Sequence, residues 1–422
     1  MALKKLHILS LGLGQSNFLN QLYGALRKED DSLSFSIDRV YDISEGKVAA
    51  KNSVFEAEYD FSQENFSKAV SLRSYVKICC SRFFWRSLFF EMRQNFSALQ
   101  LVRHFLTRNI YQSIVDENIL PLNHDIYHFH YCIPYNLRYV FHLPSSAKVI
   151  CSFWGSDLYR NNDKRTTFYV KQALKRANVI TIQTPEMGED LLKRYGEDLR
   201  PKLHFALFAQ EMGIYDRIDA LREDTVALNE FKANLGIPLD HRVVAIGYSA
   251  TEAFHHIEIL KVLKTLPAES LKNLTVVLSL TYQRDEAYLK ALDAYSKSVD
   301  SFNIVQLHDF LSFDEVAKLR SITDIQIQMP VSDALSGSVT EVLYAGNTVI
   351  AANWLPYAIF EQKGITFYTT SKFEDLKHIL PEILKDPEAE KQKNKDNSRS
   401  IKAHFFPQTT SKAWVKIYRD II

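Results

Sequence analysis

Two carboxylates eight positions apart, Asp333 and Glu341, bracket a stretch that could hold a diphosphate. Between them lie Gly337, Ser338, Val339 and Thr340, and the order of residue types reads as strand, loop, helix, Gly stop, strand. Residues 325–329 alternate apolar and polar as a half-buried strand would. Met329-Pro330 ends that run, because proline cannot donate to a ladder. A helix that opens at Gly337 and stops at Gly346 leaves the N–H groups of Gly337, Ser338 and Val339 without helical partners, which makes an anion site. Asp333 and Glu341 would then flank a bound diphosphate and accept hydrogen bonds from sugar hydroxyls. A blander reading uses the same residues, as a surface acid and an acid placed to suit the helix dipole.

A second concentration of polar chemistry lies in 125–159. Alternation along Asp125-Ile-Tyr-His128-Phe-His130 puts both histidines on one face of a strand, with His130 nearer its carboxyl end, where α/β sheets bind ligands. A further strand from Lys148 ends in Trp154-Gly155-Ser156-Asp157-Leu158-Tyr159. Either histidine could instead be a packing residue. No third ligand stands at metal spacing, so no metal site is expected. Gly12 and Gly14 follow an apolar run at 5–11. They make only part of a glycine-rich phosphate loop, since Asn17 stands at the third position.

Elements must carry these groups to one place, and strands alternating with helices do so. Residues 35–43 read as a second strand and 17–28 as the first helix. A stretch after Pro134 reads as helical to about 142. In the other half, Arg242–Gly247 runs into Tyr248-Ser249-Ala-Thr251 and His255-His256. The strand Leu274–Leu280 runs into Tyr282 and Arg284, and Phe302–Leu307 into His308-Asp309-Phe310. Each strand end presents polar or aromatic side chains.

At 422 residues, two domains are expected. Apolar content of 46% and charge of 24% are ordinary for a globular chain, and the net charge of +1 argues against a nucleic-acid coat. Cys79, Cys80, Cys132 and Cys151 show neither metal nor disulfide spacing, which suits a reducing cytoplasm. The basic then apolar start faintly resembles a signal peptide, but no small-residue cleavage site follows, so a first strand and loop are expected. No run is long and apolar enough to span a bilayer.

From Leu72 to Gln112, Arg73, Lys77, Arg82, Arg86, Arg93, Arg103 and Arg108 oppose a single acid, Glu91. Tyr75, Phe83, Phe84, Trp85, Phe89, Phe90 and Phe96 are interleaved with them. Two readings stand, an amphipathic surface for an anionic membrane or core-facing helices with basic outer faces, and a third, nucleic-acid binding, is disfavoured by the near-neutral chain.

The acid, seven residues, acid pattern at Asp333 and Glu341 resembles the E-x7-E motif of GT-B glycosyltransferases of retaining family 4, and Gly346-Asn-Thr-Val-Ile resembles their G-x-P-V-I. The strand with His128 and His130 is similar to their D-I-x-H-x-H, and Ala177-Asn-Val-Ile-Thr-Ile-Gln-Thr to their A-D-x-V-I-x-x-S. Trp154-Gly-Ser-Asp-Leu-Tyr resembles the W-G-A-D-L-Y of family 56, the lipid-linked Fuc4NAc transferases. The resemblance implies that Asp333 touches the donor sugar, Glu341 the nucleotide ribose, His130 the sugar, and the turn with His308 and Phe310 the base. Family 4 enzymes also place Arg and Lys in the loop after Gly247. This chain has neither there, so Ser249 and a protonated histidine such as His255, or Arg284, would have to meet the phosphate charge.

The expected fold is α/β, two doubly wound Rossmann-like domains facing a cleft, as in GT-B proteins. The expected boundaries are 1–205 with the C-terminal helix 406–422 for the acceptor, 206–240 as linker, and 241–405 for the donor. The expected function is transfer of a sugar from a UDP-, GDP- or TDP-sugar to a saccharide, carried on a polyprenyl lipid, in bacterial polysaccharide synthesis. The resemblance implies retention and no metal. His130, Asp157 and Asp333 are the catalytic candidates. Gly12, Gly14, Ser249, His255, Arg284, His308, Phe310, Gly337, Ser338, Val339, Thr340 and Glu341 are the donor-binding ones. No cofactor beyond the donor and no nucleic acid is expected. A cytoplasmic chain follows, with peripheral attachment to the inner membrane face if residues 72–112 dock there. An inverting path, with His130 or Asp157 as base, stays open. So do a GT-B-like sugar-nucleotide 2-epimerase and a non-catalytic nucleotide-sugar scaffold.

Overall fold

The computed structural model describes residues 4–14, 16–39, 54–61 and 72–422. The chain divides into two compact units, 1–209 with 407–422, and 210–406.

In the first unit the strands are β1 (Leu6–Leu11), β2 (Leu33–Asp38), β3 (Ala57–Tyr59), β4 (Ile126–His130), β5 (Lys148–Ser152), β6 (Val179–Ile182) and β7 (Leu203–Phe205). They form one parallel sheet in the order β3-β2-β1-β4-β5-β6-β7. The second strand ends at Asp38, and residues 40–43, also expected in it, lie outside the described residues. Leu6, Ile8, Leu9 and Leu11 are buried because parallel strands are covered by helices on both faces. Ser16 caps the helix Asn17–Glu29 by accepting from the N–H of Leu19, and Leu19, Leu22, Tyr23 and Leu26 pack onto the sheet. The last helix, Pro407–Asp420, joins this core through Trp414, Ile417 and Tyr418. Arg419 bonds Asp30 at 2.6 Å and fixes that helix beside the start of the sheet. Residues 134–142, expected as a helix, form a series of turns instead, closed by bonds such as Val140 N–H to Leu137 C=O.

In the second unit the strands are β8 (Arg242–Ile246), β9 (Ser249–Ala250), β10 (Leu274–Ser279), β11 (Tyr282–Arg284), β12 (Asn303–Leu307), β13 (Ile325–Gln328), β14 (Thr348–Ala352) and β15 (Tyr368–Thr370). The main sheet is parallel in the order β12-β10-β8-β13-β14-β15, and β9 pairs separately with β11. Strand order reverses between β1 and β4 in the first sheet and between β8 and β13 in the second. At such a reversal the loops at the carboxyl ends diverge and leave a crevice for ligands.

Residues 210–240 depart from the linker expectation. They form helices Met212–Leu221 and Thr225–Asn234, which cluster with the second unit. Ile214, Tyr215, Ile218 and Leu221 supply a buried stripe at helical spacing. The basic segment 72–112 folds into Leu72–Cys80, Arg82–Arg93 and Ala98–Ile114. Its one acid, Glu91, is fully buried and accepts from Arg165 Nε (2.8 Å) and the Tyr169 hydroxyl (2.6 Å).

Candidate functional site

The second unit gathers its polar side chains where β8 and β13 part. β13 was expected to be half-buried, yet both its faces are buried. The alternating glutamines are therefore wired into the site rather than solvated. Gln328 Nε2 donates to Asp333 Oδ2 at 2.6 Å, and Gln326 Nε2 donates to Ser338 Oγ at 3.1 Å. Asp333 also accepts from the Tyr357 hydroxyl (2.7 Å), the Tyr248 hydroxyl (3.4 Å) and the N–H of Ala334 (2.8 Å). Burial pushes its pKa up, and these donors work against that. Tyr248 follows β8 and Asp333 follows β13, so their contact spans the crevice.

The helix Gly337–Tyr344 begins beside this carboxylate. Ser336 stands at its cap without a side-chain cap bond, its hydroxyl lying 2.8 Å from Ser338 Oγ instead. The first N–H groups of a helix have no partner within it. Thr340 already bonds back to Ser336 through its N–H and its hydroxyl, so Gly337, Ser338 and Val339 provide the open donors. Val339 is fully buried, and only its backbone can serve. Gly346, at φ +87°, ends the helix as expected for a left-handed C-terminus. Glu341, almost buried, accepts through Oε2 from Arg320 Nε at 2.9 Å.

The loop after β8 places its residues differently from the expectation. Gly247 has φ +62°, and a Cβ there would come within 2.8 Å of His256 Nε2, so only glycine fits. Ser249 is buried and donates to the Tyr282 carbonyl at 2.9 Å, tying two loops together instead of facing a phosphate. His255 sits at the start of the helix His256–Leu263 with its ring 5.1 Å from that of Phe373. Burial lowers the pKa of His256 to about 4, so it is neutral at pH 7. Arg284 lies at the surface and is taken up by Glu286 at 2.7 Å. His308 and Phe310 are exposed after β12, and Phe310 meets the half-exposed Tyr282 edge-on at 5.2 Å.

In the first unit the crevice between β1 and β4 is narrow. Gly12 has φ +104°, and a Cβ there would lie 2.6 Å from the His130 carbonyl. Gly14 also has positive φ, at +69°. His128 and His130 do share a face, with ring centroids 3.9 Å apart, but both are fully buried. His130 Nε2 lies 2.7 Å from the Tyr23 hydroxyl, and His128 lies 2.7 Å from Tyr418 and 2.6 Å from Ser152. Burial lowers the pKa of His130 to about 3 and drives that of His128 well down. Nδ1 of His130 is buried with no partner among the described residues.

Asp157 is held by backbone through both oxygens. Oδ1 accepts from the N–H groups of Trp154 (2.9 Å), Gly155 (2.9 Å) and Leu158 (3.1 Å), and Oδ2 from that of Cys132 (2.7 Å). Burial raises its pKa to about 6 against those four bonds. These bonds tie the end of β5 to the end of β4. Among the described residues no group of three or more His, Cys, Asp and Glu side chains could hold a metal ion.

Sequence reasoning missed Arg320, Gln326 and Gln328. The glutamines had a signal, two amides in a strand otherwise apolar. Arg320 had none, because its pairing with Glu341 spans 21 residues.

Residues 94–184 match the family model described as glycosyl transferase 4-like. None of the curated proteins matches this chain. HepE of Anabaena, solved with UDP and glucose, is similar at a TM-score of 0.68 and 9% identity, over 99% of both chains. A glycosyltransferase of Rickettsia africae is similar at 0.66 and 12%, over 99% of this chain and 98% of that one. WaaG, a glycosyltransferase involved in lipopolysaccharide biosynthesis, is similar at 0.61 and 12%, over 98% and 99%. The fold is that of GT-B proteins.

Proposed function

We propose that this chain, a glycosyltransferase by its matched segment and a GT-B protein by its fold, moves a sugar from a nucleoside diphosphate to a polyprenyl-linked saccharide in bacterial surface-polysaccharide synthesis. The observation that carries the donor half is the helix Gly337–Tyr344, with open N–H groups at its start and a pre-held carboxylate on either side. The diphosphate binds Gly337, Ser338 and Val339. Glu341 takes the ribose, and Asp333 takes hydroxyls of the transferred sugar. UDP in HepE and the part of WaaG in lipopolysaccharide biosynthesis support this reading.

Transfer proceeds with retention and without a metal. The bond from the anomeric carbon to the diphosphate oxygen breaks, the acceptor oxygen bonds that carbon, and the acceptor proton passes to the leaving diphosphate. The loop after β8 carries no Arg or Lys. The charge on the leaving group therefore falls mainly on fixed backbone dipoles, which cost no reorganisation when the bond breaks. Isothermal titration of UDP, GDP and TDP tests the donor site. One nucleotide should bind at micromolar Kd and lose that binding in the Glu341→Ala, Ser338→Ala double variant. Absence of binding by all three would remove the reading.

The acceptor lipid places the enzyme at a membrane. Leu72, Val76, Trp85, Phe89, Met92, Leu99, Val102 and Leu106 are exposed on the three helices that also expose Arg73, Arg82, Arg86, Arg93 and Arg103. Phe83 and Phe90 instead stack inward on Phe141 and Phe168, so the aromatic residues divide between core and surface. Apolar side chains reaching headgroup depth among arginines fit an anionic bilayer. Each basic residue near such a surface contributes about 1 kcal/mol. Neutralising Arg82, Arg86 and Arg93 together should therefore weaken co-sedimentation with phosphatidylglycerol vesicles about a hundredfold. Unchanged co-sedimentation would remove the docking surface.

A further inference from the structure

We propose that Gln210 and Glu341 form a two-oxygen clamp for the vicinal hydroxyls of a ribose, so that a ribonucleotide donor is preferred over its 2′-deoxy counterpart. The proposal rests on the donor-site reading above and assigns to it a specificity residue, Gln210, that no sequence motif marks.

Gly337 marks the gap. A Cβ built there would meet Glu341 Oε1 at 3.5 Å and Gln210 Oε1 at 3.8 Å. Both atoms are hydrogen-bond acceptors, and they border the same open space at the helix start.

Each oxygen is held from behind. Arg320 Nε binds Glu341 Oε2 at 2.9 Å, which leaves Oε1 toward the gap. The Tyr215 hydroxyl donates to Gln210 Oε1 at 3.1 Å, and that oxygen keeps a second lone pair. Tyr215 is itself fixed, buried edge-on against Tyr344 at 4.9 Å and against Phe406 at 5.0 Å. Arg320 is anchored through its carbonyl, which accepts from Asn347 Nδ2 at 2.9 Å. Two pre-held acceptors bordering one gap suit a ligand that brings two donors. A ribose cis-diol does so, and a deoxyribose leaves one acceptor unpaired.

The test is titration of UDP, 2′-deoxy-UDP and 3′-deoxy-UDP into the full chain, with the guanosine set used if GDP is the nucleotide that binds. Each deoxy analogue should bind about tenfold more weakly than the ribonucleotide. Gln210→Leu should abolish that discrimination at one hydroxyl and keep it at the other. A structural defect would lower all three affinities alike and leave the ratios intact. Gly337→Ala is the second probe, because its methyl enters the gap at ordinary contact distances and alanine suits a helix. It should weaken UDP by at least tenfold while inorganic pyrophosphate, which needs only the backbone donors, competes as before. Equal affinity of wild type for all three nucleotides, or unchanged ratios in Gln210→Leu, would overturn the clamp while leaving the donor site in place. Failure of every ribonucleotide to bind would instead remove the donor site and the clamp with it.

Discussion

Glu341→Ala should weaken nucleotide binding at least tenfold and destabilise the second unit by about 3 kcal/mol, the lower end for breaking a buried ion pair. The two losses have separate origins. Arg320 and Glu341 keep side-chain exposures of 11% and 10%, so removal of the carboxylate strands a guanidinium that cannot deprotonate. The binding loss comes from Oε1, which the pair leaves unspent. Replacing both residues by methionine should regain most of the stability, because apolar side chains of similar volume tolerate such sites, and should regain none of the binding. Urea denaturation and titration with the nucleotide read the two quantities independently. A stable Glu341→Ala protein would mean that the pair does not hold the helix. Retained nucleotide affinity would mean that the donor lies elsewhere.

The same pair shows what sequence could and could not convey. Asp333, Gly337, Glu341 and Gly346 were legible because a strand, a turn, a helix start and a helix stop each need particular backbone chemistry within a few residues. Their positions follow from local rules, and the helix Gly337–Tyr344 lies where those rules put it. What completes the constellation comes from elements distant in sequence. Arg320 arrives from the helix Phe313–Ile322, Tyr248 from the end of β8, and Gln210 from a stretch that reads as hinge. No local periodicity encodes such meetings.

The burial of His130 and of Asp157 has a shared cause. Strand alternation correctly put His128 and His130 on one face, but it cannot say whether that face is covered. Helix Asn17–Glu29 and the last helix bring Tyr23 and Tyr418 onto it. Asp157 carries the residue type of a base, yet its turn folds so that four N–H groups converge on it. A buried acid bound by backbone is architecture, and a residue type alone does not separate it from an acid held for chemistry.

That buried architecture makes the first unit sensitive to acid. Stability should fall by about 6 kcal/mol between pH 7 and pH 5, followed through Trp154 and Trp414 fluorescence in urea. Desolvation holds His104 and His130 near 3, His124 near 4, and His128 and His142 well below 6.5. They stay neutral in the folded unit while the unfolded chain binds five protons as pH drops through 6.5. Their contribution is present above that value and lost below it. Asp38 and Asp157 act in the opposite sense. Burial raises them to about 7 and about 6, so folding favours their protonated forms, and their contribution is present below pH 4 and lost as pH rises through 6 to 7. Five protons taken up by the unfolded chain against two by the folded unit leave about three near pH 5. At roughly 1.4 kcal/mol per proton and pH unit, that slope outweighs the aspartates. His104→Gln should therefore make the acid loss shallower, and Asp157→Asn, which deletes an opposing titration, should make it steeper. A pH profile that is flat over this range, or the reverse ordering of the two variants, would mean that the buried imidazoles do not stay neutral as their surroundings require.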